Sequence, residues 1–186
     1  MDRYLAISRN ELDHLSAMID RVLQLDVDEH TGLKLDKSKV DLIQVLKDAA
    51  NTFGIHVNKQ VLISLDMEMP FLWINADISH LRNVINNLLE NAVKYSGDPV
   101  EININVQEYP NDIEFTVSDK GKGIAVEYQK EIFEMFFRVP EGNLHQVKGF
   151  GIGLAYVRQV IGQHGGKITV KSSLNKGSTF IVKLPK

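Results

Sequence analysis

The stretch Asn87-Leu-Leu-Glu-Asn91-Ala-Val-Lys94-Tyr95-Ser96 decides how this chain reads. On a helix, residues three and four apart share a face, so Asn87, Asn91, Lys94 and Tyr95 fall along one broad flank. Two carboxamides, an ammonium and a phenol in that arrangement can surround a polar ligand. Taken alone, they equally describe the wet stripe of an ordinary helix. Three glycine-bearing segments follow in order: Asp119-Lys-Gly121-Lys-Gly123, Gly149-Phe-Gly151-Ile152-Gly153-Leu154 and Gly177-Ser-Thr179-Phe180.

Working outward, Asp77 opens the helix that carries the asparagines. Before it, Val40–Ile43 reads as a short strand, and Val45, Leu46, Ala49, Ala50 and Phe53 mark an amphipathic helix with Gly54 placed to cap it. Val61 to Met67 and Pro70 to Asn75 read as strands, and residues 100–107 and 112–118 alternate like a hairpin. Gly153–Gln163 should be a helix ended by Gly165-Gly166, with Lys167–Lys171 and Ser178–Leu184 as a closing strand pair. Strands linked mostly by meanders leave few crossovers for the helices. The expected fold class is therefore α/β in two layers, about three helices on one face of a mixed sheet of about five strands.

At the N-terminus, Leu5, Leu12, Leu15, Ile19 and Val22 step by three and four between charged residues, as in a coiled-coil seam. Residues 1–25 are expected to be that helix, 26–38 a linker and 39–186 the main domain. Composition narrows the function classes. There is no cysteine, and the six histidines never take a metal-ligand spacing, so zinc is not expected. No run of 18 apolar residues occurs, so this piece is expected to be soluble. Charge is uneven: Glu141 is the last acid, and the 45 residues after it carry seven Lys or Arg. The first 141 residues hold 24 acids and 14 bases, a net of −10. The basic end suits phosphates. Nucleic acid is not the expected anion, because the bases are dispersed and no exposed aromatics interleave with them.

Taken in order, the asparagine stretch and the glycine segments resemble the N, G1, G2 and G3 boxes of the catalytic domain of two-component sensor histidine kinases. Ile132-Phe133-Glu-Met-Phe136-Phe137-Arg138 resembles that family's F box. The resemblance implies a Bergerat fold and Mg·ATP as substrate. It implies Asn91 as the magnesium ligand, since magnesium takes hard oxygens and keeps several waters. It also implies Lys94 on the phosphates and Tyr95 against adenine. Asn87, Glu90 and Lys94 are the catalytic candidates. Related ATPases carry a water-activating carboxylate at the position of Asn87, so this chain should hold ATP for transfer and hydrolyse it poorly, with Glu90 adjacent as a partial substitute.

A carboxylate at Asp119 can accept the exocyclic amine of adenine, where guanine offers a carbonyl. Gly121 and Gly123 would let backbone approach the ring, although Asp-x-Gly-x-Gly also describes a plain hairpin turn. Gly149-Phe-Gly151-Ile-Gly153 superficially matches a dinucleotide fingerprint, but no acid follows for a ribose. It reads better as the end of a lid, Val139–Lys148, running into a helix whose first N–H groups face phosphate. Arg138 or Lys148 could reach the phosphates. Phe133, Phe136 and Phe137 anchor the lid, with packing favoured over nucleotide contact. Thr179 either completes a tight strand start at Gly177 or bonds near the pocket. The family pattern adds Ile124, Ile152 and Leu154 to the contacts.

One family feature is missing. None of His14, His30, His56, His80, His145 and His164 precedes an acid, as a phosphoacceptor histidine normally does. Residues 1–25 resemble instead the second helix of the dimerisation and phosphotransfer hairpin, so this chain alone should not autophosphorylate. The implied partners are the protein's own dimerisation helices in a homodimer and a response regulator. The implied location is cytoplasmic, with a membrane reached only through upstream segments. A serine kinase or ATPase of the same superfamily, and a non-catalytic nucleotide-gated module, remain alternatives.

Overall fold

The computed structural model describes residues 34–55, 60–140 and 150–186. The seam helix and most of the lid segment lie outside them. Strand β1 (Ser38–Asp41) pairs antiparallel with β3 (Trp73–Ala76) as a separate two-stranded ribbon. Between them run helix α1 (Leu42–Ile55) and strand β2 (Val61–Asp66). Strand β1 stops two residues earlier than the apolar run suggests, because Asp41 is committed to capping. Its carboxylate accepts the backbone N–H of Ile43 at 3.1 Å and of Leu72 at 3.0 Å, so the chain turns into α1 at Leu42. Helix α1 runs to Ile55, so Gly54 lies within it and does not end it.

Helix α2 (Ile78–Tyr95) begins where expected. Asp77 is its N-cap, accepting from Ser79 and His80. Its buried stripe is Leu81, Val84, Ile85, Leu88, Leu89 and Ala92, with Asn87 the one polar residue among the buried set. Strands β4 (Val100–Glu108) and β5 (Asp112–Asp119) form the hairpin, and β6 (Lys167–Ser172) and β7 (Ser178–Pro185) the closing pair. The main sheet has the order β2-β4-β5-β7-β6, with β2 parallel to β4 and the other neighbours antiparallel. One face is apolar: Val100, Ile102, Ile104 and Val106 on β4 and Ile113, Phe115 and Val117 on β5 are all buried. The intervening Glu101, Asn103, Thr116 and Ser118 point the other way, as a period of two requires.

Helix α3 (Gly153–Gln163) completes the second layer, with α2 packed between α1 and α3 on the apolar face. Its end is fixed by Gly165 at φ 79°. There Gly165 N–H bonds the Gly162 carbonyl and Gly166 N–H the Ile161 carbonyl, both at 2.9 Å, which is a Schellman ending. The result is the mixed five-stranded, two-layer arrangement expected from the resemblance. Among the described residues no helix is long and apolar enough to cross a membrane.

A buried polar joint ties this layer together. His164 is 5% exposed. Its Nε2 lies 3.0 Å from the Asp77 backbone N–H and its Nδ1 2.8 Å from the Val160 carbonyl, so the neutral ring accepts at one nitrogen and donates at the other. Burial pushes its pKa down. The unfolded chain then binds a proton more readily than the folded one, and stability must fall as pH drops through the imidazole range. Unfolding midpoints in urea should therefore decline between about pH 7.5 and about pH 5.5, and this decline should shrink in His164→Gln, which cannot titrate.

Candidate functional site

Three pieces of chain converge at the C-terminal half of α2. The first is the α2 flank itself. Asn87 is buried, its Nδ2 donating to the Asn83 carbonyl at 2.7 Å. Asn91 and Lys94 are half-buried on the same flank, while Glu90 is exposed. The Asn91 carboxamide makes no hydrogen bond with another described residue. No group of three or more His, Asp or Glu that could hold a metal gathers among the described residues, so the oxygens this flank offers a hard cation are carboxamide oxygens, with the exposed Glu90 carboxylate adjacent.

The second piece is the start of α3. A Cβ on Gly153 would lie 2.7 Å from Asn87 Oδ1, so the first turn of α3 is pressed against the asparagine flank and any larger residue there would have to displace the Asn87 carboxamide. That turn has no side-chain cap. Its leading N–H groups and the positive end of the helix dipole therefore stand beside Asn87, an arrangement suited to an anion. Ile152 is buried at the N-cap position and Leu154 is half-buried.

The third piece is the loop after β5. Asp119 ends the strand, and its Oδ1 accepts the Gly121 N–H at 2.7 Å. Burial raises the Asp119 pKa, against the lowering effect of bonds from the Gly121 and Ser178 backbones. Gly121 is packed on the Tyr95 carbonyl, and Gly123, at φ 69°, on the Ser173 carbonyl. The Lys122 N–H donates to the Tyr95 carbonyl at 3.1 Å, and the Lys122 carbonyl accepts from Asn175 at 2.7 Å. These glycines thus have a reason independent of any ligand: the loop is squeezed between the end of α2 and the β6–β7 turn. Gly177, at φ 86°, closes the clamp by crossing over the Asp119 carbonyl.

Other expected residues are distributed as follows. Thr179 is hydrogen-bonded to Ser118, with Oγ1 and Oγ 2.9 Å apart. Thr179 and Asp119 also line a groove of about 450 Å³ with Gln129, Ser172 and Lys176. The Ile124 N–H donates to Ser172 Oγ at 2.8 Å. Arg138 is exposed and acts electrostatically on Lys94 and Tyr95. Phe133 is buried edge-on against Phe180, ring centroids 6.4 Å apart. Phe136 is exposed at φ 63°, and its N–H donates to the Gly151 carbonyl at 3.0 Å, which joins the two ends of the lid segment. Lys148 and Gly149 lie outside the described residues.

Lys122 was not singled out by sequence reasoning. Its Nζ stands 4.5 Å from the Tyr95 ring centroid, and Lys94 Nζ stands 5.0 Å from the same centroid. The signal was present as the residue between Gly121 and Gly123, a place where a side chain is aimed by its closely packed neighbours.

The geometry defines a Bergerat-type domain with an anion-suited helix start facing an asparagine flank. Residues 76–186 match the family described as histidine kinase-, DNA gyrase B- and HSP90-like ATPases. The chain belongs to that family. It is 36% identical over 184 residues to the sensor protein RprX of Bacteroides fragilis, covering 96% of this chain and 35% of RprX. Among solved structures, full-length ShkA in complex with AMPPNP is similar at TM-score 0.84 and 26% identity, over 98% of this chain and 38% of that one. The catalytic domain of histidine kinase ThkA is similar at TM-score 0.72 and 26% identity, over 82% of this chain and 99% of that one. The chain spans about a third of the length of the curated relatives it matches.

Proposed function

We propose that this chain binds Mg·ATP and delivers the γ-phosphoryl group to a histidine on a dimerisation helix, as the catalytic part of a two-component sensor histidine kinase. The observation that carries the reading is the contact of the uncapped α3 start with Asn87, which sets N–H donors beside the asparagine flank. Its support lies in family membership and in AMPPNP bound to the similar ShkA.

In this reading Asp119 accepts the adenine amine, and Tyr95 flanks the base. Lys94 and Arg138 neutralise phosphate charge, and the first N–H groups of α3, at Gly153 and Leu154, receive phosphate oxygens. A magnesium ion, when bound, would draw charge off the phosphates, and Asn91 is the residue that would hold it. Phosphoryl transfer asks the protein mainly for positioning and charge neutralisation. Asn87 has no basic oxygen to take a proton from water, and its buried amide is already held by Asn83. Hydrolysis should therefore be slow, with exposed Glu90 the carboxylate at hand. Residues 1–25 belong, in the same reading, to the dimerisation and phosphotransfer hairpin, and a response regulator is the downstream acceptor.

The experiment extends the chain with an upstream acceptor helix taken from a related sensor and supplies Mg·ATP labelled at the γ-phosphate. Label that is stable in base and lost in acid is the expected result, since that pattern marks phosphohistidine. Acid-stable label on a partner serine, or release of free phosphate alone, would move the chain to a serine kinase or an ATPase.

A further inference from the structure

The loop between Gly121 and Gly123 holds a cation that the family boxes leave unassigned. Lys122 is fixed by its backbone on both sides, donating to Tyr95 and accepting from Asn175. Its ammonium is thereby aimed at the Tyr95 ring, 4.5 Å from the centroid. Lys94, one residue before Tyr95, approaches that ring to 5.0 Å. Two ammonium groups that share one aromatic ring repel each other, and the ring's quadrupole offsets only part of that cost. Arg138 adds a third positive charge acting on both lysines, and Glu90 acts on Lys94 in the opposite sense. Burial first, and then the neighbouring cations, depress both lysine pKa values, as in a crowded cationic pocket.

We propose that Lys122 is a triphosphate-binding residue, the arm by which the adenine-side loop reaches the phosphate side of the site. The inference rests on the ATP-binding reading above. A polyanion entering between Lys94 and Lys122 turns their mutual repulsion into attraction to a shared partner. The backbone clamp makes that geometry available before the ligand arrives. Lys122 is a binding and specificity residue in this scheme, sensing the number of phosphates and not the base.

The test is calorimetric titration of ATP, ADP and adenosine into the wild-type chain, Lys122→Gln and Lys122→Arg, with magnesium present. Lys122→Gln should weaken ATP by about fivefold to tenfold, the loss of one partly exposed charge-assisted contact. Adenosine should change by less than about twofold, and Lys122→Arg should keep most of the ATP affinity because it keeps the charge. Unchanged or tighter ATP binding in Lys122→Gln overturns the inference. Equal weakening of ATP and adenosine overturns it too, because that pattern means a packing role. If the wild-type chain binds no ATP while remaining folded, the ATP-binding reading falls, and this inference with it.

Discussion

Asp119→Asn is expected to weaken ATP binding by about 10- to 150-fold, the range given by the loss of a charged hydrogen bond worth about 1.5–3 kcal/mol. The carboxylate meets N–H donors from the backbones of Gly121 and Ser178. A ligand's exocyclic amine would be a further donor. A carboxylate can accept from all of them, but a carboxamide has one accepting oxygen and one amine end. Asparagine must therefore point N–H at N–H somewhere, either toward the loop or toward the base. Because the substitution is nearly isosteric, the thermal midpoint should move far less than the affinity, and calorimetry with Mg·ATP checks both. The acid dependence has a definite sign. The Asp119 pKa is raised, so as pH falls the charge is lost earlier than at an ordinary aspartate, and wild-type affinity should weaken correspondingly early.

Gly123→Ala is expected to destabilise the fold by about 2–4 kcal/mol, combining a left-handed backbone with overlap on a carbonyl. At φ 69° the new methyl would collide with the Ser173 carbonyl oxygen, with the carbonyl carbon only 2.7 Å away and Leu174 Cα at 3.2 Å. All three are backbone atoms and cannot swing aside. Gly162→Ala makes the opposite comparison. A Cβ there meets nothing within 4 Å, and the residue lies in α3, so the change should stabilise by about 0.5–1 kcal/mol. Urea denaturation of the two variants measures both signs.

The sequence disclosed more of the fold than of the site. Period-two alternation on β4 and β5 and the stripe of α2 survive in the structure because burial on one face demands them. The missed boundary at β1 came from Asp41, whose capping of α1 cannot be read from an apolar run. Gly54 looked like a terminator but sits inside α1, because glycine's permissiveness does not by itself end a helix. On α2, spacing alone was enough to place Asn87, Asn91, Lys94 and Tyr95 on one flank, while their roles toward a ligand came only with the resemblance. Relations across distant segments were not legible from spacing. That Gly153 abuts Asn87, that Lys122 overlies Tyr95 and that His164 accepts from Asp77 depend on how three loops meet. The glycines of the Asp119 loop were noticed for a ligand's sake, yet their closest constraint is the protein's own backbone. Phe133 reads in sequence as a lid anchor with packing favoured, and in the structure it packs edge-on against Phe180.

The hydrogen bond between Phe136 and Gly151 carries a consequence for how such domains diversify. Those two residues are 15 positions apart in sequence and are held together at 3.0 Å. The chain between them therefore leaves and re-enters at one neck, as an appendix whose length closure entropy constrains only weakly. Doubling such an appendix costs only about 0.6 kcal/mol in closure entropy. With the neck held by Phe136 and Gly151, a change of length between residues 137 and 150 is expected to leave the sheet and the α2 flank as they are.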